Sequence, residues 1–356
     1  MAITAFWIVI SIGLELHNSI NYDPPAGKYF FYPHFGESMT SHLLITAIGP
    51  AIGGLLFGSF IIFYLREKLT SSSYLKKITI HSLLYLLALL VCIFTVGVIG
   101  ALHANDNKQF SEKLYDAVFN LRVLRLVFDW YLIVLFTIFF LDVNEKYGQG
   151  VLRKTLLGKY HTPVKESRVF MFLDLKSSTT IAENIGEELY FDMLKEFYKI
   201  AAEVIVNSHG EIYQYVGDEV IVSWEEELAI DNGNCLRCFT DLSAEVEKRR
   251  QHFIKHYGTV PEFKAAIHIG SAATGEIGMV KKEIVYSGDV LNATARMVAL
   301  CNEYNAALII SGELYDKVNK TPQYKFTYID SPELRGKSEK LKLYSVQFVN
   351  TKQEHN

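Results

Sequence analysis

Two short stretches of the chain place acids where an acid needs a reason. In 171-MFLDLKSST-179, Asp174 follows Phe170, Met171, Phe172 and Leu173 and precedes Leu175. In 214-QYVGDEVIVSW-224, Asp218 and Glu219 stand between Tyr215 and Val216 on one side and Val220, Ile221 and Val222 on the other. An unpaired carboxylate in such a run costs several kcal/mol unless something neutralises it. Two acids brought together repel, and a pair of divalent cations reverses that repulsion. The turn 175–179 opens a helix, whose first backbone N–H groups suit phosphate. Two aspartates beside such a cradle make a phosphoryl-transfer site. The plainer alternative is that Asp218 merely fills a turn and Asp174 starts a helix, with Ser177 or Thr179 nearby to cap it.

The elements must bring the two acids together. The run 168–175 reads as a strand, 178–207 as a long amphipathic helix and 211–224 as a hairpin turning at Gly217. A second long helix is expected over 227–257, then a strand at 262–269, a hairpin-like stretch to 287 and a helix at 289–303. Late strands are expected at 306–311 and 342–348. Apart from these additions the order is β-α-β-β-α-β, an α+β ferredoxin-like pattern. In that unit the end of strand one lies beside the turn between strands two and three, which carries Asp174 and Asp218 to one sheet edge.

The other half of the chain is of a different kind. At 356 residues, 50% hydrophobic and with formal charge −4, the chain suits about two domains, one of them apolar, and gives no reason to expect nucleic acid. Residues 43–65 hold no charge over 23 positions and 82–102 none over 21, each enough for a hydrocarbon core that needs about 20 residues. The segment 126–141 carries only Asp129, and 2–14 is a shorter first span. A four-helix transmembrane domain is therefore expected over 1–142, a connector over 143–167, a catalytic domain over 168–350 and a tail over 351–356. Arg66, Lys68, Lys76 and Lys77 place the 66–77 loop in the cytoplasm, leaving both termini and the catalytic domain on that side of the bilayer. His17, His42 and His103 fall near the outer helix ends, where they could converge on an unknown ligand; isolated histidines at an interface more often just find a hydrogen bond. Cys235 and Cys238 form a C-x-x-C without a second pair to complete a zinc site, so packed thiols are expected.

With these residues in view, the C-terminal half resembles the class III nucleotidyl cyclases. The family's first metal motif matches 172-FLDLKSST-179, its second matches 217-GDEVIVSW-224 and its transition-state motif matches 292-NATARM-297. The acid spacing, 218 − 174 = 44 residues, is also that of the family. The resemblance implies two Mg²⁺ or Mn²⁺ ions held by Asp174, Asp218 and the Leu175 carbonyl. It implies a phosphate cradle of Lys176, Ser177, Ser178 and Thr179, ribose orientation by Asn292 and charge stabilisation by Arg296. Lys264, Arg335 and Lys337 match basic positions near the phosphates. The family builds each site at a head-to-tail interface, so a homodimer with two equivalent sites is implied, producing 3′,5′-cyclic nucleotide and pyrophosphate.

Base choice is where the chain departs from the pattern. Gln214 stands where adenylate cyclases carry Lys and guanylate cyclases Glu, while Val285, with Ser287 close by, stands where adenylate cyclases carry Asp or Thr. An amide donates or accepts, so ATP and GTP both remain open, with ATP favoured. Two other readings stay beside this one. A membrane sensor with an inactive cyclase-like domain would have lost a metal Asp or the Arg, and neither is lost. A diguanylate cyclase would read Gly-Gly-Asp-Glu-Phe at the hairpin, and only the middle of that survives.

Overall fold

The computed structural model describes residues 7–10, 12–13, 74–103, 109–119, 121–147, 158–332 and 340–349. The chain divides into two units, Met1–Lys146 and Tyr147–Asn356.

In the first unit, helix α1 (Tyr74–His103) contains the expected span 82–102, and α3 (Leu121–Tyr147) contains 126–141. Ile78–Thr95 has a mean hydropathy of 2.3 over 18 residues, long and apolar enough to cross a bilayer, whereas the apolar part of α3, Val127–Phe140, is shorter. Among the described residues one helix thus meets that test, not four. The expected span 43–65 lies outside the described residues, as do His17 and His42, and of 2–14 only helical fragments at 7–10 and 12–13 are described. Trp7 donates its indole N–H to Thr137 Oγ1 at 3.1 Å and meets Tyr85 and Trp130 edge-on, which ties the first segment to the two later helices. The outer stretch 103–121, expected as a loop, holds helix α2 (Phe110–Val118); its apolar residues Phe110, Leu114 and Val118 recur at helical spacing.

The second unit is built on one sheet: β1 (Val164–Leu175), β2 (Glu211–Val216), β3 (Glu219–Glu225), β4 (Phe263–Ile277), β5 (Glu283–Ser287), β6 (Leu308–Ser311), β7 (Tyr324–Asp330) and β8 (Leu343–Phe348). The order is β2-β3-β1-β4-β6-β8-β7, with β5 paired to β4. Its β2-β3-β1-β4 part is antiparallel throughout, the ferredoxin-like arrangement expected, and β6 adds to β4 in parallel. β1 reads as an unbroken apolar run because both sheet faces are covered. Val169, Met171 and Leu173 pack on one face under α5 (Glu187–Asn207) and α7 (Asn234–Lys248). Phe170 and Phe172 pack on the other under α9 (Asp289–Glu303).

Several boundaries differ from expectation. β1 begins at Val164 rather than 168, and β4 runs on to Ile277 to form the arm that pairs β5. The helix expected over 178–207 breaks at Gly186 (φ 87°) into α4 (Ser178–Ile185) and α5. The one expected over 227–257 breaks at Asn232 and Gly233, both left-handed, into α6 (Glu226–Ile230), a 3₁₀ turn and α7, followed by α8 (Arg250–Tyr257). Helix α10 (Gly312–Val318) and strand β7 had no counterpart in the sequence reading.

Candidate active site

β1 lies between β3 and β4, and Asp174 is opposite Glu219 on one and Lys264 on the other. Cross-strand partners project to the same face, so the three form a row at the sheet end where the β2–β3 turn presents Asp218. Lys264 Nζ stands 3.2 Å from Asp174 Oδ2, with side-chain exposures of 9% and 25%. The sequence placed Lys264 near phosphates; in the structure this half-hidden ion pair is its contact.

The charges in this row do not balance. Burial raises the Asp174 pKa, Lys264 opposes the rise through a hydrogen bond and its charge, and Asp218 adds to it, leaving the carboxyl above its ordinary value. Glu219 is pushed up to about 7, first by burial and then by Asp174 and Asp218, with Lys264 pulling the other way. Three acids face one lysine, a surplus that divalent cations relieve. Among the described residues no three His, Cys, Asp or Glu side chains already converge as ligands. The residues whose hard oxygens would suit Mg²⁺ or Mn²⁺ are Asp174 and Asp218, with the Leu175 carbonyl next to Asp174 in the chain.

The turn carrying Asp218 is braced from outside the sheet. Gly217 takes a left-handed φ of 64°, which a residue with a Cβ resists. Its carbonyl accepts a hydrogen bond from Tyr198 Oη on α5 at 2.8 Å, and the Tyr198 ring lies 4.7 Å from that of Tyr215. The sequence reading assigned neither Glu219 nor Tyr198. Glu219 was legible in principle, since it lies two residues from Ile221 on one face of a strand, but Tyr198 reaches the turn only through the packing of α5. Tyr198→Phe is expected to weaken Mn²⁺ binding about fivefold, the worth of one hydrogen bond of about 1 kcal/mol. Electron paramagnetic resonance of free Mn²⁺ measures this; unchanged affinity would mean the turn is held without Tyr198.

The turn after β1 opens α4 without a side-chain cap. Ser177 is left-handed (φ 56°) and its side chain does not cap α4, so the plainer reading of 175–179 as a side-chain-capped helix start is not met. Ser177 and Thr179 are exposed, Ser178 is half-buried, and Lys176 stands 3.9 Å from Glu262.

Asn292 and Arg296 sit one turn apart on α9, the first exposed and the second half-buried. Neither side chain has a hydrogen bond or ion pair to another of the described residues. α9 runs antiparallel to β4 beneath it: Val290 lies against Gly270, while Cys301 Sγ lies 3.4 Å from the Ala265 carbonyl, beside Lys264. Asn292 is nine residues before Cys301, about 13 Å back along the axis at 1.5 Å per residue. One chain therefore does not bring its own Asn292 onto its own Asp174.

Gln214 is exposed and pairs with Ile221 after a bulge, on the face that carries Asp174. Val285 and Ser287 lie on β5 opposite Gly275 and Ala273. Arg335 and Lys337 lie outside the described residues. Cys235, Cys238 and Cys301 are buried, and burial pushes each thiol up to about 12, so they pack as neutral side chains.

Residues 162–348 match the family model of the Adenylate and Guanylate cyclase catalytic domain. Adenylate cyclase 2 of Rhizobium meliloti (strain 1021) is 34% identical over 209 residues, 59% of this chain and 58% of that protein. Adenylate cyclase 1 of the same organism is 27% identical over 180 residues, 49% of this chain and 27% of that protein. The chain thus spans less than two thirds of the length of either relative. A solved bacterial light-regulated adenylyl cyclase shares the fold, with a TM-score of 0.51 at 19% identity over 64% of this chain and 65% of that one.

Proposed function

Because the chain belongs to the adenylate and guanylate cyclase catalytic domain family, we propose that it is a membrane-anchored adenylate cyclase, converting ATP to 3′,5′-cyclic AMP and pyrophosphate in a homodimer. The observation that carries this reading is the placement of Asp174 and Asp218 at one sheet end, with Asn292 and Arg296 unengaged farther along α9. Two Mg²⁺ or Mn²⁺ ions bound at the aspartates and the Leu175 carbonyl would lower the pKa of the ribose 3′-hydroxyl and neutralise triphosphate charge. The N–H groups opening α4 receive the triphosphate. The partner subunit's Asn292 orients the ribose, and the partner subunit's Arg296 stabilises charge growing on the α-phosphoryl oxygens. The 3′-oxygen loses its proton to solvent water and bonds to the α-phosphorus as the bond to the bridging oxygen breaks, and pyrophosphate leaves. Lys264 holds the Asp174 carboxylate in place, and Arg335 and Lys337 are assigned to the β- and γ-phosphates by family resemblance.

Membrane anchoring through four spans, with both termini in the cytoplasm, is part of the proposal. Its support is the Ile78–Thr95 helix and the exposed Leu83, Leu87, Phe128 and Phe136 on α1 and α3, together with the basic residues Arg66, Lys68, Lys76 and Lys77 in the sequence. Large apolar side chains facing outward from helices suit lipid better than water.

ATP is the preferred base in this reading because the relatives above are named adenylate cyclases. Gln214 reads it through an amide that can face either way. A one-tube assay with ATP, GTP and Mn²⁺, separating cyclic mononucleotides from cyclic dinucleotide, tests the activity; no cyclic product from either nucleotide would leave a regulatory module. The expected kcat/KM favours ATP with measurable GTP turnover. Gln214→Lys should sharpen the ATP preference and Gln214→Glu should move it toward GTP, each by about 5- to 150-fold, since a polar group left unpaired once the nucleotide covers it costs about 1–3 kcal/mol. A ratio fixed through both substitutions would transfer base reading away from Gln214, with Ser287 the next candidate.

A further inference from the structure

The sheet end opposite Asp174 carries a second charged cluster. Arg168 is fully buried on β1, six residues and about 20 Å along the strand from Asp174 on the same face. Its Nε donates to Glu166 Oε1 at 3.0 Å, and its Nη1 donates to Ser223 Oγ at 3.0 Å and to Glu211 Oε2 at 3.3 Å. Nη2 lies 3.8 Å from Glu225 Oε1, with no hydrogen bond to any of the described residues. The flat guanidinium sits 4.9 Å from the ring centre of Tyr286. One side chain thus gathers acids from β1, β2 and β3 and stacks on β5.

That last contact matters because of what Tyr286 touches. β2 is the sheet's edge strand and β5 hangs from β4, so the ladder does not join them. Tyr286 joins them: its ring meets Tyr213 edge-on at 4.9 Å, and its backbone N–H donates to Tyr213 Oη at 3.4 Å. Tyr213 precedes Gln214, and Tyr286 lies between Val285 and Ser287. We propose that Arg168 is a positioning residue for nucleotide recognition, setting through Tyr286 and Tyr213 the separation between Gln214 on β2 and Val285 and Ser287 on β5. This rests on the base-reading assignment above. A planar fork fixed by several acids holds an aromatic face in one place, which a lysine with the same charge cannot do. The metal aspartates, held by Lys264 and Tyr198 at the other end, are outside this unit.

The test uses the full chain in detergent micelles and measures kcat and KM for ATP and GTP. Arg168→Lys and Tyr286→Leu are each expected to raise KM for the preferred nucleotide about tenfold and to narrow the ATP-to-GTP ratio, with kcat within about twofold. A merely structural cluster would lower kcat for both nucleotides by one factor with KM and the ratio unchanged, and that result overturns the proposal. Should Arg168→Lys fail to fold, Tyr286→Leu and Tyr213→Leu carry the same expectation. Equilibrium dialysis of ATP and GTP reads the same discrimination without turnover, so a chain that binds but does not cyclise still decides the matter. Gln214→Lys is run alongside. If it leaves the ratio fixed while Arg168→Lys changes it, the Gln214 assignment fails and the positioning role is confined to Val285 and Ser287 on β5; the reverse pattern overturns the positioning role alone.

Discussion

Asp174→Ala and Asp218→Ala are each expected to lower Mn²⁺-dependent cyclisation on the order of a thousandfold, as loss of charge stabilisation at a reacting phosphate should. The two variants should differ in stability. Asp174 is the ion-pair partner of Lys264, whose side chain is only 9% exposed, so Asp174→Ala strands a hidden ammonium and is expected to cost up to about 3 kcal/mol. Asp218 sits in a turn braced through the Gly217 carbonyl, so its removal should leave the melting temperature nearly unchanged. Asp174→Asn separates the effects, since it keeps a hydrogen-bond acceptor for Lys264 while removing the charge a cation needs. Activity at saturating Mn²⁺, thermal melting and dimer content by gel filtration read all three. Retention of more than about a tenth of the activity in either alanine variant would contradict the two-metal assignment.

The site was legible in the sequence to the extent that it depends on local order. Asp174 ends an apolar strand, Asp218 follows the turn glycine of a hairpin, and β-α-β-β connectivity leaves those two points adjacent. The helix over 289–303 was legible from its spacing, as the structure bears out, whereas Asn292 and Arg296 were singled out by the resemblance of 292-NATARM-297 to the family motif. What sequence missed depends on register. Arg168 is a charged residue on a strand until β2 and β3 align Glu211 and Glu225 beside it. Lys264 was singled out as a phosphate contact by resemblance, but its pairing with Asp174 appears only once β4 sets the two opposite each other.

Element boundaries failed for a related reason. The apolar spacing over 178–207 and 227–257 continues through the breaks at Gly186 and Asn232, because the pieces on both sides pack on the same sheet face. Periodicity alone cannot mark a break that packing conceals, although Gly186 was a signal within reach. Strand β7 alternates Tyr324, Phe326 and Tyr328, but it is an edge strand with Lys325 exposed, and the sequence reading assigned it no element. Helix α10 is a seven-residue element whose Ser311 cap was visible only with hindsight. In the first unit, helices that are apolar on every side yield length but no facing, so the association of Trp7 with Thr137 had no sequence signature.

In the proposed enzyme each site is completed by a second copy of the chain, because α9 holds Asn292 about 13 Å along its axis from the end that lies beside Asp174. Mixing two inactive variants tests this directly. Asp174→Ala keeps the Asn–Arg pair, and Arg296→Ala keeps both aspartates. In a mixed dimer one of the two sites then combines an intact half from each chain, while the other carries both lesions. With equal amounts and free exchange, half the dimers are mixed, so the mixture is expected to recover about a quarter of wild-type cyclic AMP production, from parents that each show almost none. The measurement is cyclic AMP formed with Mn²⁺-ATP after co-expression, with differently tagged chains used to count mixed dimers. Recovery in proportion to mixed dimers is the predicted result; mixed dimers that form in full and stay as inactive as their parents would contradict the shared site.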